Sequence, residues 1–110
     1  MELYKNSEIS VHDLKKLVDK NKNIQILEIR EDSERKQAFI NNSLHIKVSE
    51  LSVRFKELDS SKNIFVMCHT GIRSQVAVKW LKSKGCDFAV NVLGGIDAWS
   101  ALIDTSLRRY

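Results

Sequence analysis

The segment Cys68-His69-Thr70-Gly71-Ile72-Arg73-Ser74 holds the residues best suited to chemistry: a thiol, a glycine where the backbone must turn, and a guanidinium where a helix is expected to begin. A cysteine attacks as its thiolate, and a thiol with a reference pKa near 8.5 is only about 3% ionised at pH 7. Lowering that pKa by about two units, about 2.7 kcal/mol, leaves a thiol about three-quarters ionised. Backbone amides in a tight turn converge into an anion-binding nest, and the positive end of a following helix adds to it. The amides of residues 69 to 73 are therefore expected to surround the Cys68 sulfur. An isolated cysteine in an apolar stretch is more often a small buried hydrophobe, but that reading gives Gly71 and Arg73 no reason to follow at these positions.

Several roles in the loop stay open. Arg73 either binds an anionic donor or holds the loop through carbonyl contacts, the second being favoured. His69 adds positive charge or touches substrate, or has no special task. Thr70 and Ser74 have hydroxyls suited to the sulfur or to helix capping, and capping is expected of Ser74. Ile72 completes the loop.

Elements must present this loop at a strand end. Ser10, with Asp13 three residues later, reads as the cap of a helix running to about Asn21. A strand is expected over Ile24 to Ile29, interrupted by the charged Glu28. A short helix over Arg30 to Gln37, a loop through Asn41-Asn42-Ser43, an extended piece from Leu44 to Val48 and a helix capped by Ser49 through Leu58 follow. Asn63 to Met67 is a continuous apolar run, the pattern of a central parallel strand, and it ends at Cys68. A helix over Ser74 to Lys84 is expected to bury Val76, Ala77, Trp80 and Leu81 and to stop at Gly85. A strand over Phe88 to Leu93, a break at Gly94-Gly95 and a helix from Ile96 to Ile103 complete the order. Alternating strands and helices predict an α/β fold: one domain over residues 1–110, with a parallel sheet of about five strands and helices on both faces. In such folds ligands bind at the carboxyl ends of the strands.

Composition narrows the function. The 110 residues include 18 basic and 14 acidic side chains, a formal charge of +4, 43% hydrophobic residues, two cysteines and no proline. A pI near 9.2 invites nucleic-acid binding, but Lys15, Lys16, Lys20 and Lys22 alternate with Asp13 and Asp19 instead of clustering, so no nucleic-acid partner is expected. The longest apolar run, Ile64 to Cys68, is far shorter than the roughly 20 residues of a membrane helix. Met1 to Ser10 lacks the pattern of a secretory signal. A cytoplasmic monomer with reduced thiols is expected. Cys86 lies beyond a helix about 16 Å long, too far from Cys68 for a disulfide, and reads as half-buried packing. His12 and His45 have no second ligand at metal spacing, so no metal and no cofactor is expected. Trp80 and Trp99 read as core anchors.

The chain resembles the rhodanese family of sulfurtransferases, specifically its small single-domain members, whose active loop has the form C-x-x-G-x-R-S. Cys68, Gly71, Arg73 and Ser74 fall on it without a gap, Ile26 to Glu31 stands for the family's D-V-R-E strand end, and Gly94-Gly95-Ile96-Asp97-Ala98-Trp99 matches G-G-x-x-A-W. Ala38 to Ser43 departs from the family's G-H-I-P-G-A. Glu28 replaces the family aspartate and is expected, as structural support, to partner Arg30 or a backbone amide near the active loop. The resemblance implies a persulfide on Cys68, formed from a small anionic donor such as thiosulfate or another persulfide. A thiol acceptor such as glutathione or thioredoxin, or cyanide in the test tube, then removes the outer sulfur. Two other classes compete. Phosphatases and arsenate reductases of related fold use a loop cysteine and arginine, with one residue more between them than the four here. A sulfur-carrying or docking module also needs an intact Cys68.

Overall fold

The apolar run after Asn63 becomes β4 (Ile64–Met67), a strand with every residue buried. In the computed structural model, which describes residues 3–21 and 23–110, it lies in the middle of a five-stranded sheet. Its companions are β1 (Glu8–Ile9), β2 (Ile26–Glu28), β3 (Leu44–His45) and β5 (Ala89–Val92). The order is β1-β5-β4-β2-β3 and every pairing is parallel. The helices are α1 (Val11–Lys20), α2 (Asp32–Arg35), α3 (Val48–Arg54), α4 (Ile72–Ser83) and α5 (Gly95–Leu102). Met1, Glu2 and Lys22, which entered the N-terminal and charge patterns above, lie outside the described residues.

Alternation along the strands divides the core in two. Leu27, Ile64, Val66, Cys68 and Ala89 face one side, where Leu51 of α3 and Ala77, Val78 and Leu81 of α4 cover them. Ile26, Phe65, Met67, Val90 and Val92 face the other, against Val11 and Leu14 of α1 and Ile96 and Trp99 of α5. The expected α/β layering with helices on both faces is therefore the observed one.

The details differ where local signals compete with distant ones. The edge strand β1 was not expected; its two residues pair with Asn91 and Val92 of β5, a partner more than eighty positions away. The strands are shorter than their apolar runs, although the amides of Phe65 and Ile29 still extend the ladder to Gln25 and Met67. Arg30 precedes α2 and is fully buried instead of starting that helix. Helix α3 begins at Val48, capped by Lys47 instead of Ser49, because Glu50 in its first turn accepts from the Lys47 amide (3.4 Å). Helix α4 begins at Ile72, two residues before the expected start.

The buried face of α4 also differs from the expected one. Its stripe is Ser74, Ala77, Val78 and Leu81, the i, i+3, i+4, i+7 set of an amphipathic helix. Val76, expected inside, is 68% exposed, whereas Val78 is 5% exposed. A polar residue at the head of the stripe hid the true phase. Trp99 is a core residue, but Trp80 sits at the core margin, edge-on to Phe55 at 5.3 Å between ring centroids. Cys86 is fully buried, not half-buried. No helix among the described residues is long and apolar enough to cross a membrane.

The two faces of α4 should respond differently to truncation. Leu81→Ala is expected to cost about 2–5 kcal/mol, because it leaves a cavity between α4 and the sheet. Val76→Ala should stay within about 0.5 kcal/mol, as an exposed helix substitution does. Urea unfolding of both variants measures the difference.

Candidate active site

Cys68 follows β4 directly, so its sulfur stands at the carboxyl end of the central strand, in a residue that is 1% exposed. The chain then turns through Gly71, whose φ of 100° lies in the left-handed region that favours glycine. The turn swings two amides onto the sulfur: Gly71 N at 3.2 Å and Ser74 N at 3.3 Å. Both belong to the entry of α4, so the peptide dipoles of the helix point the same way. The cradle is smaller than the expected ring over residues 69 to 73, and one of its donors is Ser74.

Ser74 does not cap α4, whose N-cap is Gly71. Its hydroxyl accepts from the Cys68 thiol (3.3 Å) and donates to Asn91 Oδ1 (2.5 Å). Asn91, buried in β5, also donates from Nδ2 to the Gly71 carbonyl (3.2 Å). One side chain thus holds both residues whose amides meet the sulfur. With the single hydroxyl proton of Ser74 directed to Asn91, backbone amides are the donors that face a charged sulfur.

A second support comes from α5. The Ile96 amide donates to the Cys68 carbonyl (2.9 Å) and the Asp97 amide to the His69 carbonyl (3.0 Å). The active loop therefore rests on a helix N-terminus, where unpaired amides seek acceptors. Gly95 makes this approach possible, since a Cβ there would lie 2.7 Å from the His69 carbonyl oxygen and closer still to that of Cys68.

Arg73 does not hold the loop through carbonyls. Its two terminal nitrogens donate to the two carboxylate oxygens of Glu34 at 2.7 and 2.8 Å. That fork keeps the Glu34 carboxyl at about 2, well below the usual range. The pair therefore stays ionised above that pH, and Arg73 is raised by the same contact. His69 stacks on Tyr110, with ring centroids 4.0 Å apart and planes within 8°. Thr70 and Ile72 are exposed beside the loop.

Glu28 and Arg30 form a buried pair, as expected of the two residues together. Arg30 Nε and its own amide donate to the two Glu28 oxygens (2.6 and 3.0 Å). No active-loop amide is involved: Glu28 shares the strand face of Ile26, opposite that of Cys68. Arg30 instead reaches Ala38 O (2.5 Å) and the Tyr110 hydroxyl (2.6 Å). Among the described residues no group of three or more His, Cys, Asp or Glu is placed to hold a metal ion.

Sequence reasoning missed Glu34, Asn91 and Tyr110. A polar Asn91 inside the apolar run Phe88 to Leu93 was a signal; Glu34 and Tyr110 gave none.

The family model of the rhodanese-like domain matches residues 10–102. A Bacillus subtilis protein provisionally named sulfurtransferase YtwF is 32% identical over 92 residues, covering 84% of this chain and 88% of that protein. Another from the same organism, provisionally named sulfur carrier protein YrkF, is 34% identical over 93 residues, 84% of this chain. The match spans only half the length of YrkF. Among solved structures, a rhodanese-like domain protein from Staphylococcus aureus superposes with a TM-score of 0.83 at 28% identity, covering 96% of this chain and 99% of that one.

Asn91 ties the sulfur cradle together, and Asn91→Ala is expected to destabilise the fold by about 1–3 kcal/mol in urea unfolding, because the Gly71 carbonyl loses its side-chain donor and Ser74 its acceptor. Unchanged stability would show that these two hydrogen bonds contribute nothing.

Proposed function

Because the chain belongs to the rhodanese-like domain family, we propose that it is a sulfurtransferase that passes a sulfane sulfur through a persulfide on Cys68. One observation supports this above the others: the amides of Gly71 and Ser74 converge on a single buried sulfur at the end of β4. Donors placed there hold the negative charge of the thiolate and need no reorganisation before it attacks.

With thiosulfate as donor, the Cys68 thiolate attacks the sulfane sulfur. A new S–S bond forms, the bond from that sulfur to the sulfonate sulfur breaks, and sulfite leaves with the electron pair. A thiolate acceptor then attacks the outer sulfur, takes it as its own persulfide and returns Cys68 as thiolate. No electron is gained or lost from outside, and the shared covalent intermediate implies ping-pong kinetics. The donor is a small anion, thiosulfate or a persulfide, and the acceptor a thiol such as glutathione or thioredoxin. The +4 charge favours recruitment of such an anion. Two unbridged cysteines fit a reducing cytoplasm, and the alternation of lysines with Asp13 and Asp19 fits a chain that acts without nucleic acid.

The likeness to a relative named as a sulfur carrier supports a second reading, in which Cys68 holds sulfur for a partner with little turnover. Incubation with thiosulfate is expected to add one sulfur atom to Cys68 by mass spectrometry, and cyanide to release it as thiocyanate. Cys68→Ser should abolish both. Persulfide without turnover favours the carrier reading. Cys68-dependent hydrolysis of p-nitrophenyl phosphate without persulfide would contradict sulfur transfer altogether.

A further inference from the structure

After α5 the chain turns at Asp104, whose carboxylate accepts from the Ser106 amide (3.1 Å) and whose carbonyl accepts from the Leu107 amide (3.1 Å). Leu107 packs against the core beneath α1 and α5, and Arg109 pairs with Asp97 at 3.1 Å. These contacts bring Tyr110 back to the active loop, beyond the residues 10–102 that the family model matches.

Tyr110 connects the side chains of two active-loop residues, His69 directly and Arg73 through Glu34. Its ring lies parallel to His69 at 4.0 Å. Its hydroxyl accepts from Arg30 Nη1 (2.6 Å) and donates to Glu34 Oε2 (3.0 Å), the carboxylate that holds Arg73. His69 Nε2 is buried without a hydrogen-bond partner among the described residues. A buried polar nitrogen left unmatched in the free protein asks for a ligand, water or strain to account for it. The hydrogen bonds of Tyr110 go to Arg30 and Glu34 and not to Cys68 or the amides of Gly71 and Ser74, so its influence falls on the surroundings of the sulfur.

We propose, on the basis of the sulfurtransferase reading, that Tyr110 is a positioning residue for the anionic sulfur donor: it holds His69 by stacking and Arg73 through Glu34, so that both nitrogen-bearing side chains stand prearranged beside Cys68. A residue that acts on donor placement and not on the reacting sulfur changes KM and leaves kcat nearly alone. The ring and the hydroxyl act separately, one on His69 and the other on Glu34.

The test uses the full chain, thiosulfate as donor and cyanide as acceptor. Tyr110→Ala, which removes ring and hydroxyl, is expected to raise KM for thiosulfate about tenfold with kcat within about twofold; Tyr110→Phe, which keeps the stack, should raise it about threefold. The His69 ring-proton resonances should carry the upfield shift of a stacked neighbour in the wild type and in Tyr110→Phe, and lose it in Tyr110→Ala. A folded Tyr110→Ala with unchanged KM overturns the proposal and makes Tyr110 a fold staple. So does a fall in kcat and stability at constant KM. Should Tyr110→Ala fail to fold, an unchanged KM in Tyr110→Phe overturns it alone. Absence of sulfur uptake by the wild type defeats the sulfurtransferase reading and this proposal with it, whereas uptake with indifferent variants defeats only this one.

Discussion

The structure depends on one electrostatic constraint: a sulfur atom withdrawn from water at the end of β4 must still bear negative charge to react. Charge in a buried position is expensive unless donors are already aimed at it. Here the donors are backbone amides of Gly71 and Ser74, which cannot rotate away as side chains do. Their direction is set by a left-handed glycine and by the first turn of α4.

Much of the remaining architecture serves to keep that turn in place. From below, the first turn of α5 binds the carbonyls of Cys68 and His69, an approach only a glycine at position 95 allows. From the neighbouring strand, Asn91 ties Gly71 to Ser74. From the far side of the active loop, the Glu34 carboxylate takes Arg73 in a two-point grip, and Tyr110 joins that grip to the buried Arg30. Arg30 is 0% exposed, and such a charge is tolerable because Glu28, two carbonyls and the Tyr110 hydroxyl meet its donors. The parallel sheet contributes the common direction: every strand brings its carboxyl end to the same edge, so loops distant in sequence meet there.

What could be read from the sequence was what local chemistry dictates. Cys68, Gly71 and Arg73 lie within six positions, the turn and helix entry require them at that spacing, and the apolar run before them marks a central strand. The layered α/β fold followed from periodicity in the same way. What escaped depends on partners far along the chain. Glu34 is 39 positions from Arg73, Tyr110 is 76 from Glu34, and Asn91 is 17 from Ser74. The two-residue β1 exists only through its pairing with β5, and neither residue alone advertises a strand. Ser74 misled twice for one reason. A serine near a helix start suggests a cap, but this one faces inward, where a polar side chain is needed beside the sulfur. Counted as part of the buried stripe, Ser74 places Val78, four residues on, inside and leaves Val76 outside.

The central claim is that the amides of Gly71 and Ser74 hold the charged sulfur. Their proton resonances, compared in a nitrogen-correlated NMR spectrum between the wild-type protein and Cys68→Ser, whose hydroxyl is neutral, report this directly, since a hydrogen bond to an anion is shorter and stronger than one to a neutral group. Both are expected to lie further downfield in the wild type, by more than the amides of Thr70 and Arg73. If the Gly71 and Ser74 amides resonate at the same positions in Cys68→Ser, the cradle is not what stabilises the charge.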